Sequence, residues 1–212
     1  MSDHFARLQA GKLYDAMDAD IQKRQKEALR ALAAFNQAGP DQRQQAMEAA
    51  FAHVGKNVLI EGEVRANFGG RFLSLGNNVY INFGFTLVDD APIVIEDDVL
   101  IGPNVTIATA GHPLDPQLRK TGWQYALPVR IEAEAWIGAG AILLPGVCIG
   151  RGSVIGAGSV VTKSVPAGVV AAGNPCRVLR PLAEADRFSM VDAPAREELA
   201  EVLPEDYFEV KV

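Results

Sequence analysis

Cysteine is scarce in this sequence, which has two among 212 residues, Cys148 and Cys176. Two thiols are too few for a disulfide scaffold, so a reducing compartment is the simpler expectation. No apolar run has the length of a signal peptide or of a membrane span, which predicts a cytoplasmic protein with no membrane partner. The net charge of −6 argues against nucleic acid as the main partner, although it leaves room for a local basic site.

What the sequence does contain is a six-residue repeat from Ile131 to Val165. An aliphatic residue opens each unit, and a small or short aliphatic residue fills the fifth position. The opening residues are Ile131, Ile137, Leu143, Ile149, Ile155 and Val161. A short fixed period is typical of a solenoid, in which each unit buries its apolar face against its neighbours. Six residues fit one short strand and a corner, so the pattern predicts a hexapeptide β-helix.

The same phase occurs earlier in the chain, on both sides of a two-residue slip. The opening residues there are Leu75, Ile81 and Leu87, then Ile95, Ile101 and Ile107. Three units are expected to make one triangular coil of about eighteen residues, with the opening residues stacked inward. With 49% apolar residues, the chain can build such a core. The spacing leaves the hand of the helix open.

These patterns predict three segments. Residues 1–55 are expected to form a helical cap over one end of the solenoid, broken at Gly39-Pro40, with Asp41 capping the second helix. Residues 56–180 are expected to form the coils, with an extruded loop at 108–128 where the repeat breaks. Such insertions map to one face of a solenoid, often the binding face. Residues 181–212 are an acidic tail without an assigned role, in which a short helix is expected from Ala195 to Leu203.

The extruded loop contains His112, one of three histidines in the sequence. Histidine is the side chain best suited to general-base work near neutral pH. Its position on the one large interruption of the solenoid favours function over an incidental loop residue. The other two histidines, His4 and His53, lie in the predicted cap. One candidate per region does not make a histidine-held metal site, so no metal is expected to be required.

Polar residues precede the loop in the coils. Asn82, Asp89 and Asp90 could hold the hydroxyls of a polyol, but asparagine and aspartate are equally ordinary corner residues. Tyr80 has the same two interpretations.

Near the end of the coils, Lys163, Arg177 and Arg180 suit a phosphorylated ligand or are solvated surface charge. Trp136 is either a stacking platform or outer packing. The regularly spaced glycines follow the repeat and do not form a nucleotide-binding loop.

Several motifs together resemble the hexapeptide acyltransferases, in particular the galactoside/maltose O-acetyltransferase family. The similarity runs from about Gly11 to Leu179, and its motifs are AGKLYDAM, INFGFTLVDD, VLIGPNVTI, GHPLDPQLRKTG, WIGAGAILLPGVCIG and VIGAGSVVTKSVPAGVVAAGNPCRV. The resemblance implies a mainly β fold, a left-handed parallel β-helix with an N-terminal α-helical cap of the maltose-acetyltransferase type. It also implies a homotrimer with active sites between neighbouring subunits.

The resemblance further implies roles for individual residues. His112 matches the catalytic base, which takes the proton of an acceptor hydroxyl as that oxygen attacks acetyl-CoA directly. The backbone N–H of Ala139 matches the donor to the developing oxyanion. The residues that match acceptor-binding positions are Tyr80, Asn82, Asp90 and Asn67. The residues that match the coenzyme A groove are Trp136, Ala157, Thr162, Lys163, Arg177 and Arg180.

Two positions depart from the galactoside enzymes. Those enzymes place an aspartate just after the Lys-Leu-aromatic segment and an arginine further on, both toward the sugar. Here the aligned residues are Ala16 and Gln25. Asp15, Asp18 and Arg24 are close by but out of register. We therefore expect intact acetyl transfer and an altered acceptor site.

The leading hypothesis is an acetyl-CoA-dependent O-acetyltransferase acting on a sugar or similar small hydroxylated acceptor. One alternative keeps the chemistry and changes the acceptor to serine or an antibiotic. Another is a non-catalytic β-helix that serves as a binding module or scaffold. A β-helix carbonic anhydrase would need several histidines to hold zinc, and the coil region contains only His112.

Overall fold

The computed structural model describes residues 3–188, in which short β-strands are the main elements. The α-helices of this range are α1 (Asp3–Gln9), α2 (Ala19–Gln37), α3 (Pro40–Ala50) and α4 (Pro116–Arg119). The strands are β1 (Tyr14–Asp15), β2 (His53–Val54), β3 (Leu59–Ile60), β4 (Arg65–Ala66), β5 (Leu73–Leu75), β6 (Tyr80–Ile81), β7 (Thr86–Val88), β8 (Ile93–Ile95), β9 (Leu100–Ile101), β10 (Thr106–Ala108), β11 (Ala110–Gly111), β12 (Trp123–Ala126), β13 (Val129–Ile131), β14 (Trp136–Ile137), β15 (Ile142–Leu143), β16 (Cys148–Ile149), β17 (Val154–Ile155), β18 (Val160–Val161), β19 (Val169–Ala172) and β20 (Arg177–Pro181).

The chain divides into two units, Met1–Arg180 and Pro181–Val212. In the second unit, the described part ends with a 3₁₀ helix, Glu184–Phe188. The short helix predicted from Ala195 to Leu203 lies outside the described residues.

Three sheets form the walls of a triangular coil, and their strands from β2 to β19 pair in parallel. Across the described residues, wall 1 has the order β16-β13-β8-β5-β2, wall 2 has β20-β19-β17-β14-β9-β6-β3, and wall 3 has β18-β15-β10-β7-β4. The predicted phase is confirmed, because opening residues of successive coils pair with one another. In wall 1, Leu75 pairs with Ile95, which pairs with Ile131, and Ile131 pairs with Ile149. All four are buried in one continuous apolar core.

The first corners carry an asparagine–aspartate ladder. Asn57, Asn78 and Asp98 have φ values of 55°, 54° and 59° at the corner between walls 1 and 2. Asparagine and aspartate adopt this left-handed conformation more readily than most residues. Nδ2 of Asn57 donates to Oδ1 of Asn78 at 3.0 Å, and Nδ2 of Asn78 donates to Oδ1 of Asp98 at 2.8 Å. The ladder fixes how the early coils stack.

Helices α2 and α3 cover the first coil. Phe35 and Met47 are buried in the same apolar core as Leu75. Nδ2 of Asn36 donates to the carbonyl of Val64 at 2.9 Å, and the N–H of Val64 donates to Oδ1 of Asn36 at 3.0 Å. This side chain therefore pairs backbone groups at the end of the solenoid, which need partners when they are buried. The predicted fold class, mainly β with a parallel β-helix of hexapeptide repeats and an N-terminal helical cap, is confirmed.

The start of α3 differs from the prediction. The helix begins at Pro40, its N-cap is Gly39, and no side chain makes a capping hydrogen bond. Asp41 lies inside the first turn, so the prediction that it caps the helix was wrong. Proline at the first helical position presets the backbone and lacks the N–H that a cap would satisfy. No helix within residues 3–188 is both long and apolar enough to cross a membrane.

The extruded segment 108–128 folds into a small sheet with the start of the chain. Strands β11 and β12 pair antiparallel, and β12 also pairs antiparallel with β1. We call β1, β12 and β11 the loop sheet. A second apolar core joins this sheet to α1, α2 and the coils, and it consists of Leu8, Tyr14, Ile21, Phe68, Ala91 and Ala126. The loop is therefore anchored to the cap.

Candidate active site

The loop sheet places His112 near two polar side chains. Tyr14 pairs with Gln124, and Gly111 pairs with Tyr125. Continuing the second register by one residue sets His112 opposite Gln124. Paired positions on neighbouring strands carry their side chains on the same face. Tyr14 and Gln124 are therefore neighbours on one face of the sheet, and His112, which is exposed, directly follows β11.

Asp90 is the centre of a hydrogen-bond network joined to Tyr14 and Gln124. The hydroxyl of Tyr14 donates to Oδ1 of Asp90 at 2.9 Å. Nε2 of Gln124 donates to the same oxygen at 3.1 Å and to the Tyr14 hydroxyl at 2.5 Å. On the other side, Nδ2 of Asn67 donates to Oδ2 of Asp90 at 2.9 Å. Nε2 of Gln25 donates to Oδ1 of Asn67 at 2.7 Å, which extends the network into α2.

The hydrogen bonds of the network and the burial of Asp90 have opposite effects on the pKa of its carboxyl group. Only 1% of Asp90 is exposed, and this burial raises its pKa. Hydrogen bonds from Asn67, Tyr14 and Gln124, and the nearby His112, act in the opposite direction. Burial and the charge of Asp90 also raise the pKa of Tyr14 far above its usual range, so its hydroxyl keeps the proton that it donates. Asp90 and His112 therefore lie near each other within one chain.

Asp89 has a structural role beside this network. Its side chain accepts hydrogen bonds from the backbone N–H groups of Phe68 at 2.6 Å and Gly70 at 2.9 Å. The hydroxyl of Thr109 accepts from the backbone N–H of Asp90 at 2.9 Å. For Asp89, the corner interpretation is the one that its contacts support. Together these bonds hold the backbone on which Asp90 is mounted.

The other two predicted acceptor residues lie elsewhere in the coil. Tyr80 is on wall 2, where it pairs with Leu100. Asn82 follows the same strand, and its Oδ1 accepts from the N–H of Phe83 at 2.8 Å. Asp90 follows β7, which belongs to wall 3. No hydrogen bond among the described residues joins the two groups, so one chain divides the predicted acceptor set between two places.

The residues predicted for coenzyme A lie on wall 2 and near the end of the coils. Trp136 on β14 is 53% exposed and pairs with Leu100 on one side and Val154 on the other. Its side chain is therefore accessible on the outer surface of one chain. The remaining predicted residues, all exposed, are Ala157, Thr162, Lys163, Arg177 and Arg180.

Ala139 lies at the exposed corner after β14. Among residues 3–188, no group accepts a hydrogen bond from its backbone N–H. The flanking N–H groups are both used: Gly138 donates to Ile155 at 2.7 Å, and Gly140 donates to Pro103 at 2.8 Å. The N–H of Ala139 therefore differs from its two neighbours in having no acceptor within residues 3–188.

Family profiles match separate parts of the chain. The maltose acetyltransferase hexapeptide capping motif matches residues 7–55, the hexapeptide repeat of succinyl-transferase matches 92–111, and the bacterial transferase hexapeptide (six repeats) matches 128–163. The galactoside O-acetyltransferase of Lactococcus lactis subsp. lactis (strain IL1403) is 46% identical over 187 residues, which cover 87% of this chain and 90% of the relative. The chain belongs to the galactoside/maltose O-acetyltransferase family.

Solved structures of this O-acetyltransferase family have the same fold. A maltose O-acetyltransferase from Clostridium difficile 630 matches with a TM-score of 0.82 and 38% identity, over 85% of this chain and 98% of the other. A galactoside acetyltransferase in complex with coenzyme A matches with a TM-score of 0.85 and 39% identity, over 91% and 98%. As a member of this family, the protein is an enzyme of the acyltransferase class.

The residues at the two departures from the family's galactoside enzymes have different roles in the structure. Gln25 enters the polar network through Asn67. Ala16 contributes its carbonyl, which accepts from Nε2 of Gln22 at 2.8 Å. At the position where the resemblance implies an arginine in the galactoside enzymes, this chain has a neutral amide that belongs to the network.

The three nearby charged residues make local contacts instead. Oδ1 of Asp15 accepts from the N–H of Met17 at 2.9 Å, and Asp18 is the N-cap of α2. Arg24 forms an ion pair with Asp20 at 3.1 Å. None of these contacts reaches the Asp90 network.

Sequence reasoning missed two residues of the network, Tyr14 and Gln124. Gln124 gave no sequence signal, because it alternates with Trp123 and Tyr125, which predicts an exposed face, whereas the structure buries it. Tyr14 gave no signal, since a tyrosine in a short apolar motif reads as core. Within residues 3–188, no group of three or more histidine, cysteine, aspartate or glutamate side chains could hold a metal ion.

Proposed function

We propose that this protein is an acetyl-CoA-dependent O-acetyltransferase that transfers an acetyl group to a hydroxyl of a sugar or similar small acceptor. The observation that supports it most is the position of His112, on the loop that interrupts the solenoid and near the buried Asp90 network. The relative from Lactococcus lactis, at 46% identity, is a galactoside O-acetyltransferase. The network is rich in groups that hydrogen-bond to hydroxyls, which fits this class of acceptor.

His112 is the general base of this proposal. Its exposed imidazole takes the proton of the acceptor hydroxyl as that oxygen attacks the carbonyl carbon of acetyl-CoA. The carbon–sulfur bond then breaks, and the imidazolium returns the proton to the departing thiolate of coenzyme A. The products are an O-acetyl ester and a free thiol.

Direct transfer fits the cysteines of the chain. Burial raises the pKa of both Cys148 and Cys176, and the negative charge of Glu132 adds to the effect at Cys148. Both thiols are therefore poor candidates for a covalent acyl intermediate. The tetrahedral intermediate carries an oxyanion, and the unpaired N–H of Ala139 is the proposed donor to it.

Acetyl-CoA is the proposed donor substrate. A solved relative with a TM-score of 0.85 is a complex with coenzyme A. We propose that Trp136 and Ala157 line the groove for its elongated chain, and that Thr162, Lys163, Arg177 and Arg180 serve its polar and phosphate groups. Arginine and lysine both bind phosphate, arginine through its planar fork and lysine as a point charge.

We also propose a homotrimer with active sites between subunits. In a single chain, Asn67 and Asp90 are separated from Tyr80 and Asn82, so two subunits are needed to bring the acceptor set together. The outer face of wall 2 supports such an interface, because it carries a ladder of apolar and aromatic side chains in register. The ladder consists of Leu59, Tyr80, Leu100, Trp136 and Val154. Exposed apolar surfaces of this kind mark protein–protein contacts.

The same proposal divides the chain into a cap at residues 1–55, an acyltransferase coil at 56–180 and a tail at 181–212. The extruded loop at 108–128 then carries the base and half of the polar network. The tail has no assigned part in the reaction.

The test is thiol release from acetyl-CoA in the presence of methyl β-galactoside, maltose, serine or chloramphenicol, with mass spectrometry of the product. Release that requires an acceptor, together with an acetyl ester on a saccharide, is the expected result. An ester formed only on serine or chloramphenicol would overturn the sugar acceptor and keep the chemistry. If the protein neither binds coenzyme A nor turns over any acceptor, the proposal is overturned in favour of a scaffold.

A further inference from the structure

Gln124 occupies a position that the proposed mechanism does not yet use. It lies between Tyr14 and the register position of His112 on the loop sheet. Only 8% of the residue is exposed, although glutamine is mostly found at protein surfaces. A buried amide beside the proposed base requires a physical account.

The amide of Gln124 is fixed in one orientation. Its Nε2 donates to the hydroxyl of Tyr14 at 2.5 Å and to Oδ1 of Asp90 at 3.1 Å. Both acceptors lie on the same side of the amide nitrogen, because the Tyr14 hydroxyl and Oδ1 of Asp90 are themselves 2.9 Å apart. The carboxylate of Asp90 can only accept when it is ionised, which excludes the flipped amide. The carbonyl oxygen, Oε1, therefore points away from Tyr14 and Asp90.

This Oε1 atom is not fully buried. No group of residues 3–188 donates a hydrogen bond to it, since all bonds of Gln124 in this range are made by Nε2 or by the backbone. Yet no buried side-chain nitrogen or oxygen atom of the described residues lacks a hydrogen-bond partner. Oε1 must therefore account for part of the small exposed surface of Gln124.

We infer that Gln124 is a specificity-determining residue, whose Oε1 accepts a hydrogen bond from one hydroxyl of the acceptor beside the hydroxyl that His112 deprotonates. This inference rests on the proposed function. Tyr14 and Asp90 also act through Gln124 as positioning residues, because both accept hydrogen bonds from its Nε2. A carbonyl oxygen is satisfied only by a donor, so the acceptor class is a compound with at least two hydroxyls rather than a simple alcohol.

Gln124→Met tests the inference, because methionine has a similar volume and keeps neither the donors nor the acceptor. The parent compound is methyl β-galactoside, or whichever panel compound turns over fastest, and it is compared with its monodeoxy analogues. In the wild type, we expect one analogue to lose about three- to tenfold in kcat/KM, the range of one neutral hydrogen bond. Gln124→Met should lower kcat/KM on the parent compound by the same factor. On that one analogue, the kcat/KM of Gln124→Met should equal that of the wild type.

Two variants complete the experiment. Tyr14→Phe keeps Oε1 and removes one of the two anchors of the amide, so it should show the same analogue preference with a smaller loss. Gln117→Met alters an exposed glutamine of the same loop and should behave as the wild type. In each variant, the KM for acetyl-CoA is expected to stay within twofold of the wild-type value, as a check on the fold.

Two results separate the possible failures. The first result is a wild type that transfers acetyl, with a loss from Gln124→Met that multiplies the loss from every deoxy analogue. This result would overturn the role of Gln124 but not the proposed function. A wild type that acetylates no compound of the panel would overturn the proposed function, and this inference with it.

Discussion

Oδ1 of Asp89 accepts a 2.6 Å hydrogen bond from the backbone N–H of Phe68. The residue is fully buried, and its other oxygen accepts from the N–H of Gly70. Burial raises the pKa of Asp89 to about 7, against the pull of the Phe68 hydrogen bond and with a further rise from the charge of Asp90. Because the two aspartates are adjacent and both buried, ionisation of Asp90 makes ionisation of Asp89 less favourable.

The raised pKa of Asp89 predicts a loss of stability as pH rises. Between about pH 4 and pH 7, the folded chain holds a proton at Asp89 that the unfolded chain has released. Stability falls with pH wherever the folded state binds more protons. Three pKa units correspond to roughly 4 kcal/mol across this window. Asp89→Asn should remove this part of the pH dependence, which urea unfolding at pH 5 and pH 7.5 would measure.

The matched control for this experiment is Asp98→Asn, since Asp98 is an exposed corner carboxylate. Its pH dependence of unfolding should parallel that of the wild type. If the pH dependence of unfolding of Asp89→Asn also parallels that of the wild type, then the folded protein does not hold the expected proton at Asp89.

Asn36→Ala should destabilise the junction between the cap and the first coil. Asn36 pairs both the N–H and the carbonyl of Val64, which is buried, and alanine leaves these two backbone groups without partners. Such a loss costs about 1–3 kcal/mol. The midpoint of urea unfolding should fall accordingly. Gln37→Ala, on the exposed face of the same helix, controls for helix propensity, and equal midpoints for the two variants would refute the role of Asn36.

Leu100→Asp should dissociate the proposed trimer. Leu100 is 48% exposed in the middle of the apolar ladder, between Tyr80 and Trp136. A charge at the centre of a self-association surface is left unpaired on burial, which such interfaces do not tolerate. Sedimentation should give the mass of three chains for the wild type and of one for the variant.

Val94→Asp is the control for this prediction, because Val94 lies on a strand of wall 1 and outside the ladder. It should sediment as the wild type does. A wild type that sediments as a monomer, or a Leu100→Asp variant with the wild-type mass, would contradict an interface at wall 2.

The coils could be predicted from the sequence because their information is local. Each opening residue, such as Ile131 or Ile149, repeats after a fixed interval and stacks on its equivalent in the next coil. The corner glycines and asparagines follow the same interval. Because residues that contact each other in the coils are separated by a fixed interval in the sequence, the coils can be predicted without knowledge of the remaining chain.

The polar network could not be predicted in the same way. Gln124 and Tyr14 are 110 positions apart, and they meet only because the loop sheet pairs an insertion with the start of the chain. No periodicity connects these segments. From the departure at Gln25 the sequence predicts only an altered acceptor site, and its contact with Asn67 shows that it belongs to the network.

The central claim is that His112 accepts the proton in acetyl transfer, and the most direct measurement is kcat/KM of His112→Ala with the best acceptor. Loss of a general base should lower the rate about 10²–10⁴-fold. His53→Ala, at an exposed histidine of β2, should leave the rate unchanged. A His112→Ala enzyme that transfers acetyl at the wild-type rate with saturating substrates would contradict the account.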